Sequence, residues 1–311
     1  MVTIKINGMP LSVPAGSTIL EAARYAGIDI PTLCFLKDVN QIGACRMCVV
    51  EVKGARSLVA SCVYPVNEGM EVFTNTPKVQ KSRRLTLEML LSVHDRHCLS
   101  CKRSGTCELQ ALCQELGVEQ DDRFDGDVPD SILDESCSHL IRDNSKCILC
   151  RRCVAACEQQ HVGVIGPNGR GFDTHIACAF ERPLSETTCV NCGQCIVACP
   201  TGALQEKDEC QKVLDAINDP EKIVIVQTAP SIRATLGECF GMPIGTNVEG
   251  KMVAALRRLG FDKVFDTDFG ADMTIMEEAT EFIHRVKDNG PLPIITSCSP
   301  GWVKFCEHYF P

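Results

Sequence analysis

The sequence lacks a run of about eighteen apolar residues and lacks any surplus of basic residues. A membrane-spanning helix needs about twenty predominantly apolar residues, so neither a membrane span nor a membrane partner is expected. The formal net charge is −9, whereas nucleic-acid binding relies on a basic face. Nucleic acid is therefore not expected as a partner, and the one basic cluster, Lys78 to Arg84, is interpreted as a solvated helix face.

Nucleotide-binding and targeting signals are also missing. No G-x-G-x-x-G motif follows a predicted strand and no P-loop occurs, so the sequence contains no recognisable flavin or nicotinamide site. The first residues run directly into an alternating strand pattern, without the charged and apolar regions of a secretory signal. We therefore expect a cytoplasmic protein.

Cysteine, in contrast, is abundant, with 22 among 311 residues. A secreted disulfide framework of this density would be short and would begin with a signal peptide. Repeated C-x2-C spacing instead favours thiolates that bind a soft metal. Such thiolates persist in a reducing compartment, which again indicates the cytoplasm.

Periodicity predicts an α+β multidomain chain. The start alternates as a strand, turns at Asn7-Gly8, returns as a strand and enters a helix at a Thr18–Glu21 capping box. The end alternates strands (KIVIVQTAP, KVFDTD, LPIITS) with helices, as an α/β domain does. The predicted segments are residues 1–76, residues 77–116, an acidic linker over 117–140, a compact segment over 141–208, and the incomplete first part of an α/β domain over 221–311.

The first group of candidate ligands follows the first predicted helix. A C-x2-C core with a distant fourth cysteine is typical of plant-type [2Fe–2S] sites, although the first gap here is longer. A four-cysteine zinc site is the alternative. The stretch resembles the [2Fe–2S] domain of the large peripheral subunit of complex I and of related hydrogenases, which implies a β-grasp [2Fe–2S] ferredoxin domain. The candidate ligands are Cys34, Cys45, Cys48 and Cys62.

The second group combines one histidine with three cysteines in the pattern H-x3-C-x2-C-x5-C. It resembles the histidine–tricysteine [4Fe–4S] motif of the same families, which implies a small [4Fe–4S] domain. His97 is the rival to His94, and the spacing fits His94 better. Imidazole in place of thiolate removes a negative charge and should raise the reduction potential. The candidate ligands are His94, Cys98, Cys101 and Cys107.

Two further groups come from an internal repeat, CILCRRCVAAC and CVNCGQCIVAC. Each half carries C-x2-C-x2-C-x3-C, and in two-cluster ferredoxins the fourth cysteine of each run binds the other cluster. The pattern predicts a two-[4Fe–4S] ferredoxin-like domain. One cluster takes Cys147, Cys150, Cys153 and Cys199, and the other takes Cys189, Cys192, Cys195 and Cys157.

The cysteines outside these groups have no partner at ligand spacing. We interpret them as buried or partly buried thiols, with Cys298 set apart by the motif around it. They are Cys113, Cys137, Cys178, Cys210, Cys239 and Cys306.

The last ninety residues resemble the catalytic domain of [FeFe]-hydrogenases, through Gln227-Thr-Ala-Pro-Ser231 and Thr296-Ser-Cys-Ser-Pro-Gly-Trp302. The order of the domains matches as well, and multisubunit NAD(P)-linked hydrogenases look most similar. The resemblance implies reversible proton reduction at an H-cluster. It also implies as partners a flavin- and NAD(P)-binding iron–sulfur subunit and a small [2Fe–2S] subunit, with ferredoxin as a further candidate.

Two features depart from that family's pattern. Its motif commonly has two adjacent cysteines, of which the first relays protons and the second binds the catalytic cubane; here Cys298 matches the first and Ser299 occupies the second. Either Cys298 takes over ligation or the cubane is lost, and a buried structural Cys298 is a third reading. The later cysteine motifs are not among these 311 residues, so we expect an H-cluster only in a full-length subunit.

The predicted function is the electron relay of a cytoplasmic [FeFe]-hydrogenase subunit, with one [2Fe–2S] and three [4Fe–4S] clusters. One alternative is an iron–sulfur subunit of a complex I-like enzyme or an NAD-linked formate dehydrogenase, because the first 210 residues fit it equally well. The other is a non-enzymatic redox sensor descended from hydrogenases.

Overall fold

The computed structural model describes residues 1–119, 123–124, 126 and 133–311. It forms two compact units, one of Met1–Lys207 with Ser299–Pro311 and the other of Asp208–Cys298. The predicted linker over 117–140 falls partly outside the described residues. Among the helices in these ranges, none combines the length and the apolarity that a membrane crossing requires.

The first unit begins with a five-stranded mixed sheet covered by one helix. The strand order is β2-β1-β5-β3-β4, with β1 parallel to β5 and antiparallel to β2. Asn7 and Gly8 both have positive φ, as a tight hairpin turn requires. The elements are β1 (Val2–Ile6), β2 (Met9–Val13), α1 (Ile19–Tyr25), β3 (Val49–Val52), β4 (Val59–Ala60) and β5 (Glu71–Phe73).

The core of this sheet comes from the alternation seen in the sequence. Ile4 and Ile6 of β1 are buried, and so are Ile19 and Leu20 of α1. The predicted capping box is confirmed, because Thr18 accepts from the backbone of Glu21 and its own backbone donates to the Glu21 carboxylate. Each fully buried isoleucine or leucine contributes about 1.5–3 kcal/mol. The result is a rigid base for the loops that follow α1 and β4.

Two helices follow, α2 (Pro77–Leu91) and α3 (Glu108–Glu115). Thr76 caps α2 by accepting from the Val79 N–H, and proline at the first helical position is favourable because its missing N–H is not needed there. The leucine-rich pattern of the sequence predicts a helix from about Pro77 to Val93, so the observed end at Leu91 lies two residues earlier. A Cys-rich loop containing a short 3-10 turn joins α2 to α3.

The rest of the first unit consists of small sheets and two short helices. A three-stranded antiparallel sheet has the order β10-β7-β6, and β8 pairs with β9 as a hairpin. The helices α4 and α5 pack against each other. The elements are β6 (Leu133–Asp134), β7 (Leu140–Asp143), α4 (Arg152–Gln159), β8 (Ile165–Asn168), β9 (His175–Cys178), α5 (Gln194–Ala198) and β10 (Leu204–Glu206).

The second unit is an α/β arrangement around two parallel strands. The predicted strands in KIVIVQTAP and KVFDTD are confirmed and pair in parallel, with Val226 opposite Val264. The strand predicted for LPIITS is wrong, because in the described chain no neighbouring strand exchanges ladder hydrogen bonds with it. The elements are α6 (Cys210–Ile217), β11 (Ile225–Thr228), α7 (Ile232–Thr235), α8 (Glu249–Leu259), β12 (Lys263–Asp266) and α9 (Thr267–Lys287).

The last helix, α10 (Pro300–Tyr309), belongs to the first unit. Ser299 is its N-cap, and the Ser299 hydroxyl accepts from the Trp302 N–H at 3.5 Å. At the other end, the Tyr309 hydroxyl donates to the Val162 carbonyl at 3.2 Å. The helix thus packs beside the loop that follows α4.

Candidate metal centres

Four buried thiols converge in the loops carried by the first sheet. None of the four is more than 9% exposed. The Cys34 N–H donates to the Cys45 sulfur at 3.3 Å, and the Cys45 N–H donates to the Cys34 sulfur at 3.5 Å. Amide donors directed at sulfur stabilise its negative charge. The converging residues are Cys34, Cys45, Cys48 and Cys62.

These four thiols form two hydrogen-bonded pairs, and in each pair one thiol has a lowered pKa and the other a raised pKa. A hydrogen bond from Cys34 lowers the pKa of Cys45 to about 6, and one from Cys62 lowers the pKa of Cys48 to about 6. The same bonds, together with burial, raise the pKa values of Cys34 and Cys62. Thiolate is the form that binds metal. Each pair therefore favours thiolate character at one of its sulfurs, so this set fits a thiolate-bound cluster.

His94 lies after α2 at the entrance to the Cys-rich loop. The residue is 8% exposed, and its Nδ1 atom is buried without a hydrogen-bond partner among the described residues. Burial lowers its pKa, which keeps the imidazole neutral, as a metal ligand must be. His97 is exposed instead and pairs with Asp95. Of the two histidines, His94 has the surroundings of a ligand.

Three partly exposed thiols belong to the same loop. Burial raises the pKa of Cys107, and the neighbouring Cys101 and Cys98 raise it further, so the three groups are close in space. Gly202 reaches them from another loop, where an added Cβ would lie 3.0 Å from the Cys101 sulfur. Cys113 packs nearby with a pKa raised by burial to about 11. One neutral imidazole and three close thiols fit a mixed-ligand cluster.

The two repeated motifs adopt the same local backbone. Leu149 and Arg151 have positive φ in the first motif, and Asn191 and Gly193 have positive φ at the matching positions of the second. Arg151 and Gly193 are then the left-handed N-caps of α4 and α5. Positive φ turns the chain sharply, which brings successive cysteines of each motif to one side. The internal duplication read from the sequence is therefore present in the backbone.

The last cysteine of each repeated motif lines a cavity together with the first three cysteines of the other motif. A first cavity is lined by three cysteines of the first motif and the last one of the second, namely Cys147, Cys150, Cys153 and Cys199. Burial raises the pKa of Cys147 to about 11, that of Cys150 to about 12 and that of Cys153 well above its ordinary value. Four cysteines around one apolar cavity fit a cubane, and iron binding would displace the protons of its thiol ligands.

A second cavity is lined by the complementary four thiols, Cys157, Cys189, Cys192 and Cys195. Burial raises the pKa of Cys195 to about 12, and Cys192 is exposed. The two cavities thus divide the eight cysteines as the spacing predicts for a two-cluster ferredoxin. Within the described ranges, no group of three or more His, Cys, Asp or Glu residues could hold a single metal ion.

Contacts between these loops were not visible in the sequence. Asn40 is 4% exposed, and its side-chain amide donates to the Cys34 carbonyl at 2.7 Å and to the Cys150 carbonyl at 3.0 Å. Cys34, Cys107 and Cys150 also share one apolar cluster with Leu87. Three of the four sites are therefore packed around a common core, and no sequence signal connects residues so far apart.

A second connection joins the start of α3, directly after Cys107, to the repeated motifs. The Glu108 carboxylate accepts two hydrogen bonds from the buried Arg152 guanidinium, at 2.7 and 3.0 Å. The Glu108 N–H donates to the Pro200 carbonyl at 3.0 Å. A bidentate pair fixes orientation as well as distance. These contacts hold the histidine–cysteine loop and the first repeated motif in a defined relation.

Cys298 lies in a loop directly before α10 and is exposed. It is neither on a strand nor a buried structural thiol, and Ser299 has a helix-capping role instead. Among the other cysteines outside the candidate ligand groups, Cys210 and Cys239 are exposed, so the expectation of burial is wrong for both. Each lies in the second unit, where few side chains are buried.

Family comparisons match four consecutive regions of the chain. A 2Fe-2S iron–sulfur cluster binding domain matches residues 1–77, and the NADH-ubiquinone oxidoreductase-G iron–sulfur binding region matches residues 83–122. A 4Fe-4S dicluster domain matches residues 146–203. The C-terminal domain of the iron-only hydrogenase large subunit matches residues 222–311.

Several characterised proteins are similar. The NADP-reducing hydrogenase subunit HndD of Solidesulfovibrio fructosivorans is 52% identical over all of this chain and 55% of its own length. Iron hydrogenase 1 of Clostridium pasteurianum is 43% identical over all of this chain and 54% of its own length. The NADH-ubiquinone oxidoreductase 75 kDa subunit of Reclinomonas americana is 37% identical over 67% of this chain and 30% of its own. The chain thus spans about half the length of the two hydrogenases it matches.

A solved structure agrees with these relations. One chain in a crystal structure of an NAD+-reducing [NiFe]-hydrogenase superposes with a TM-score of 0.63 at 33% identity, covering 66% of this chain and 87% of that one. Only the hydrogenase sequences match both the Cys-rich part and the residues after 222 among the relatives described above. Over its whole length the chain is therefore similar to iron-only, or [FeFe], hydrogenase large subunits.

Proposed function

We propose that this chain is the electron-relay region of an NAD(P)-linked [FeFe]-hydrogenase subunit. The observation that carries the proposal is the arrangement of eight cysteines around two cavities, four thiols to each. The converging thiols beside the first sheet and the histidine–cysteine loop lie in the same compact unit. Several redox sites in one unit permit single electrons to move through an otherwise insulating polypeptide.

The ligand assignment follows the groups defined above. The β-grasp segment holds one [2Fe–2S] cluster, and the histidine–tricysteine loop and the two cavities each hold a [4Fe–4S] cluster. These clusters supply one-electron transfer when bound. The chain's own residues position the thiolates, exclude water from them and direct N–H groups toward sulfur, which sets each potential.

The ends of the relay lie outside these residues. Because no dinucleotide motif is present, a flavin- and NAD(P)-binding iron–sulfur subunit, together with a small [2Fe–2S] subunit or ferredoxin, exchanges electrons at one end. The H-cluster of the full-length subunit is the other end, with Cys298 as its proton relay or ligand. The exposed position of Cys298 is compatible with either role. Thiolate ligands persist in a reducing compartment, which supports a cytoplasmic location for the complex.

The decisive experiment is cluster analysis of the full-length subunit, purified without oxygen. One [2Fe–2S] and three [4Fe–4S] clusters contain about 14 iron and 14 sulfide, apart from the H-cluster. Electron paramagnetic resonance should resolve one signal of the [2Fe–2S] type and several of the [4Fe–4S] type, and the subunit should evolve hydrogen from reduced viologen. Zinc or cystine in place of iron and sulfide would refute the proposal.

One competing function has a specific observation in its favour. An iron–sulfur subunit of a complex I-like or formate-oxidising enzyme fits residues 1–207, where the ubiquinone oxidoreductase relative is similar. That relative covers only 67% of the chain, whereas residues 222–311 match the hydrogenase domain. Ser299 as a helix cap is also compatible with a redox sensor that has lost the catalytic cubane. Hydrogen evolution by the full-length subunit would exclude both alternatives.

A further inference from the structure

A buried arginine is part of the two-cavity region and belongs to none of the candidate ligand groups. Arg142 of β7 is 4% exposed, and its guanidinium pairs with the Asp134 carboxylate at 3.1 Å. Another guanidinium nitrogen lies 3.8 Å from the Cys178 sulfur, and the Nε atom has no hydrogen-bond partner in the described chain. A buried charge is costly to maintain, so a positive charge in this place requires a reason.

The location of Arg142 distinguishes it from the other buried arginines. Arg142 and Leu204 are opposite each other in the β7–β10 ladder, and both residues line both cavities. The wall common to the two candidate cubane sites therefore contains one fixed cation. Its partner Asp134 is not among the described residues that line either cavity. The guanidinium, rather than the carboxylate, is therefore the group of this ion pair that faces the cavities.

Charge near a cluster acts on its reduction. Adding one electron to a [4Fe–4S] cluster adds one negative charge, and a nearby cation stabilises the reduced form more than the oxidised form. Surface charges are screened by water, but this guanidinium is buried, and interactions between buried charges are screened much less. At an effective dielectric of about 20, a unit charge at about 10 Å changes an equilibrium constant by roughly tenfold.

We propose that Arg142 is a fixed positive charge shared by the two cubane sites, which raises the reduction potentials of both clusters together and keeps them closely matched. Arg142 acts on the clusters only through its charge, because it contacts no reacting atom. Matched potentials allow electrons to pass between the two sites in either direction, as a reversible relay requires. The inference rests on the proposed function only in requiring that both cavities hold [4Fe–4S] clusters.

The test compares charge variants of the full-length subunit by redox titration monitored with electron paramagnetic resonance. Arg142→Met removes the cation, and we expect the one-electron reduction constants of both cubanes to fall about tenfold, a shift of about 59 mV to lower potential. Asp134→Asn removes the anion and should shift both potentials upward. Arg142→Lys keeps the charge and should leave them near the original values. The [2Fe–2S] potential should stay unchanged in all three variants.

The direction of the shift in reduction potential distinguishes an electrostatic role of Arg142 from a purely structural one. If the role of Arg142 were only structural, Arg142→Met and Asp134→Asn would shift the potentials in the same direction, or leave them unchanged, and either result overturns the proposal. If Arg142→Met fails to bind clusters, the comparison of Arg142→Lys with Asp134→Asn decides the question, because only the second should raise the potentials. Iron and sulfide contents of the unmodified subunit are measured first, so that an absence of [4Fe–4S] clusters contradicts the proposed function rather than the role of Arg142.

Discussion

Replacing Asn40 with alanine should weaken the contact between two loops that carry candidate cluster ligands. The Asn40 amide donates to the carbonyls of Cys34 and Cys150, which are 116 residues apart in the chain, and all three residues are buried. Alanine removes both donors without replacing them. Because the site is closed to water, each carbonyl loses a partner and finds no substitute.

The expected loss follows from those two hydrogen bonds. A buried hydrogen bond contributes about 1–1.5 kcal/mol net, and an unsatisfied buried group costs more. The Asn40→Ala variant should therefore lower the unfolding free energy of the first unit by about 2–3 kcal/mol. With a urea dependence of about 2–3 kcal/mol per molar, the unfolding midpoint should move down by about 1 M.

The assay is urea unfolding of the full chain without oxygen, followed by tryptophan fluorescence. The chain has one tryptophan, Trp302, and it belongs to the same unit as Asn40. Asn67→Ala is the matched control, because Asn67 is exposed and surface changes usually stay within about 0.5 kcal/mol. If Asn40→Ala destabilises no more than Asn67→Ala, the amide contributes nothing to holding the loops together.

Three further predictions concern the histidine–cysteine loop and its surroundings, and a fourth concerns a glycine of the second unit. His94→Ala should remove or alter one cubane signal in electron paramagnetic resonance and leave the [2Fe–2S] signal, whereas His97→Ala should change neither. Burial lowers the pKa of His94, so the unfolded chain takes up a proton first and the unfolding free energy of the cluster-free chain should fall as pH drops below about 6.5. Gly202→Ala should disturb the same cubane, because its Cβ would lie 3.0 Å from the Cys101 sulfur. Gly250→Ala, in open space within α8, should stabilise the second unit by about 1 kcal/mol.

Contrary outcomes are equally specific. A spectrum unchanged by His94→Ala, or altered by His97→Ala, would reject the choice between the two histidines. A pH dependence that persists in the His94→Ala chain would show that another group titrates. If Gly202→Ala leaves the cubane signal as unchanged as Gly250→Ala does, the approach of Gly202 to the Cys101 sulfur is not tight.

Local elements of the fold were predictable because they depend on neighbouring residues. The alternation from Val2 to Ile6, the Asn7-Gly8 turn and the Thr18 capping box each act over a few residues, and all three are present. The strand predicted in LPIITS failed for the opposite reason. Apolar β-branched residues favour a strand, yet a strand forms only where a neighbour supplies its hydrogen bonds.

The candidate ligand groups were proposed from cysteine spacing, and the histidine–tricysteine group also from its resemblance to a known family motif. Matching positive φ values at Leu149 and Asn191 reflect a backbone geometry that a C-x2-C-x2-C repeat encodes locally. The positions of Arg142 and Asn40 were not readable in this way. In sequence, Arg142 is one residue of an ordinary strand and Asn40 one residue of a loop.

The sequence by itself indicated which side chains are candidate iron ligands, since ligand type and spacing are properties of short segments, and it predicted most of the strands, turns and caps that carry them. The tertiary structure alone decided which distant groups meet: the Asn40 amide between two loops, the bidentate Arg152–Glu108 pair, and the Arg142 charge in the wall of both cavities. Such contacts depend on how separate elements pack against one another. Packing involves the whole chain, because each buried polar group needs a hydrogen-bond partner within the folded structure.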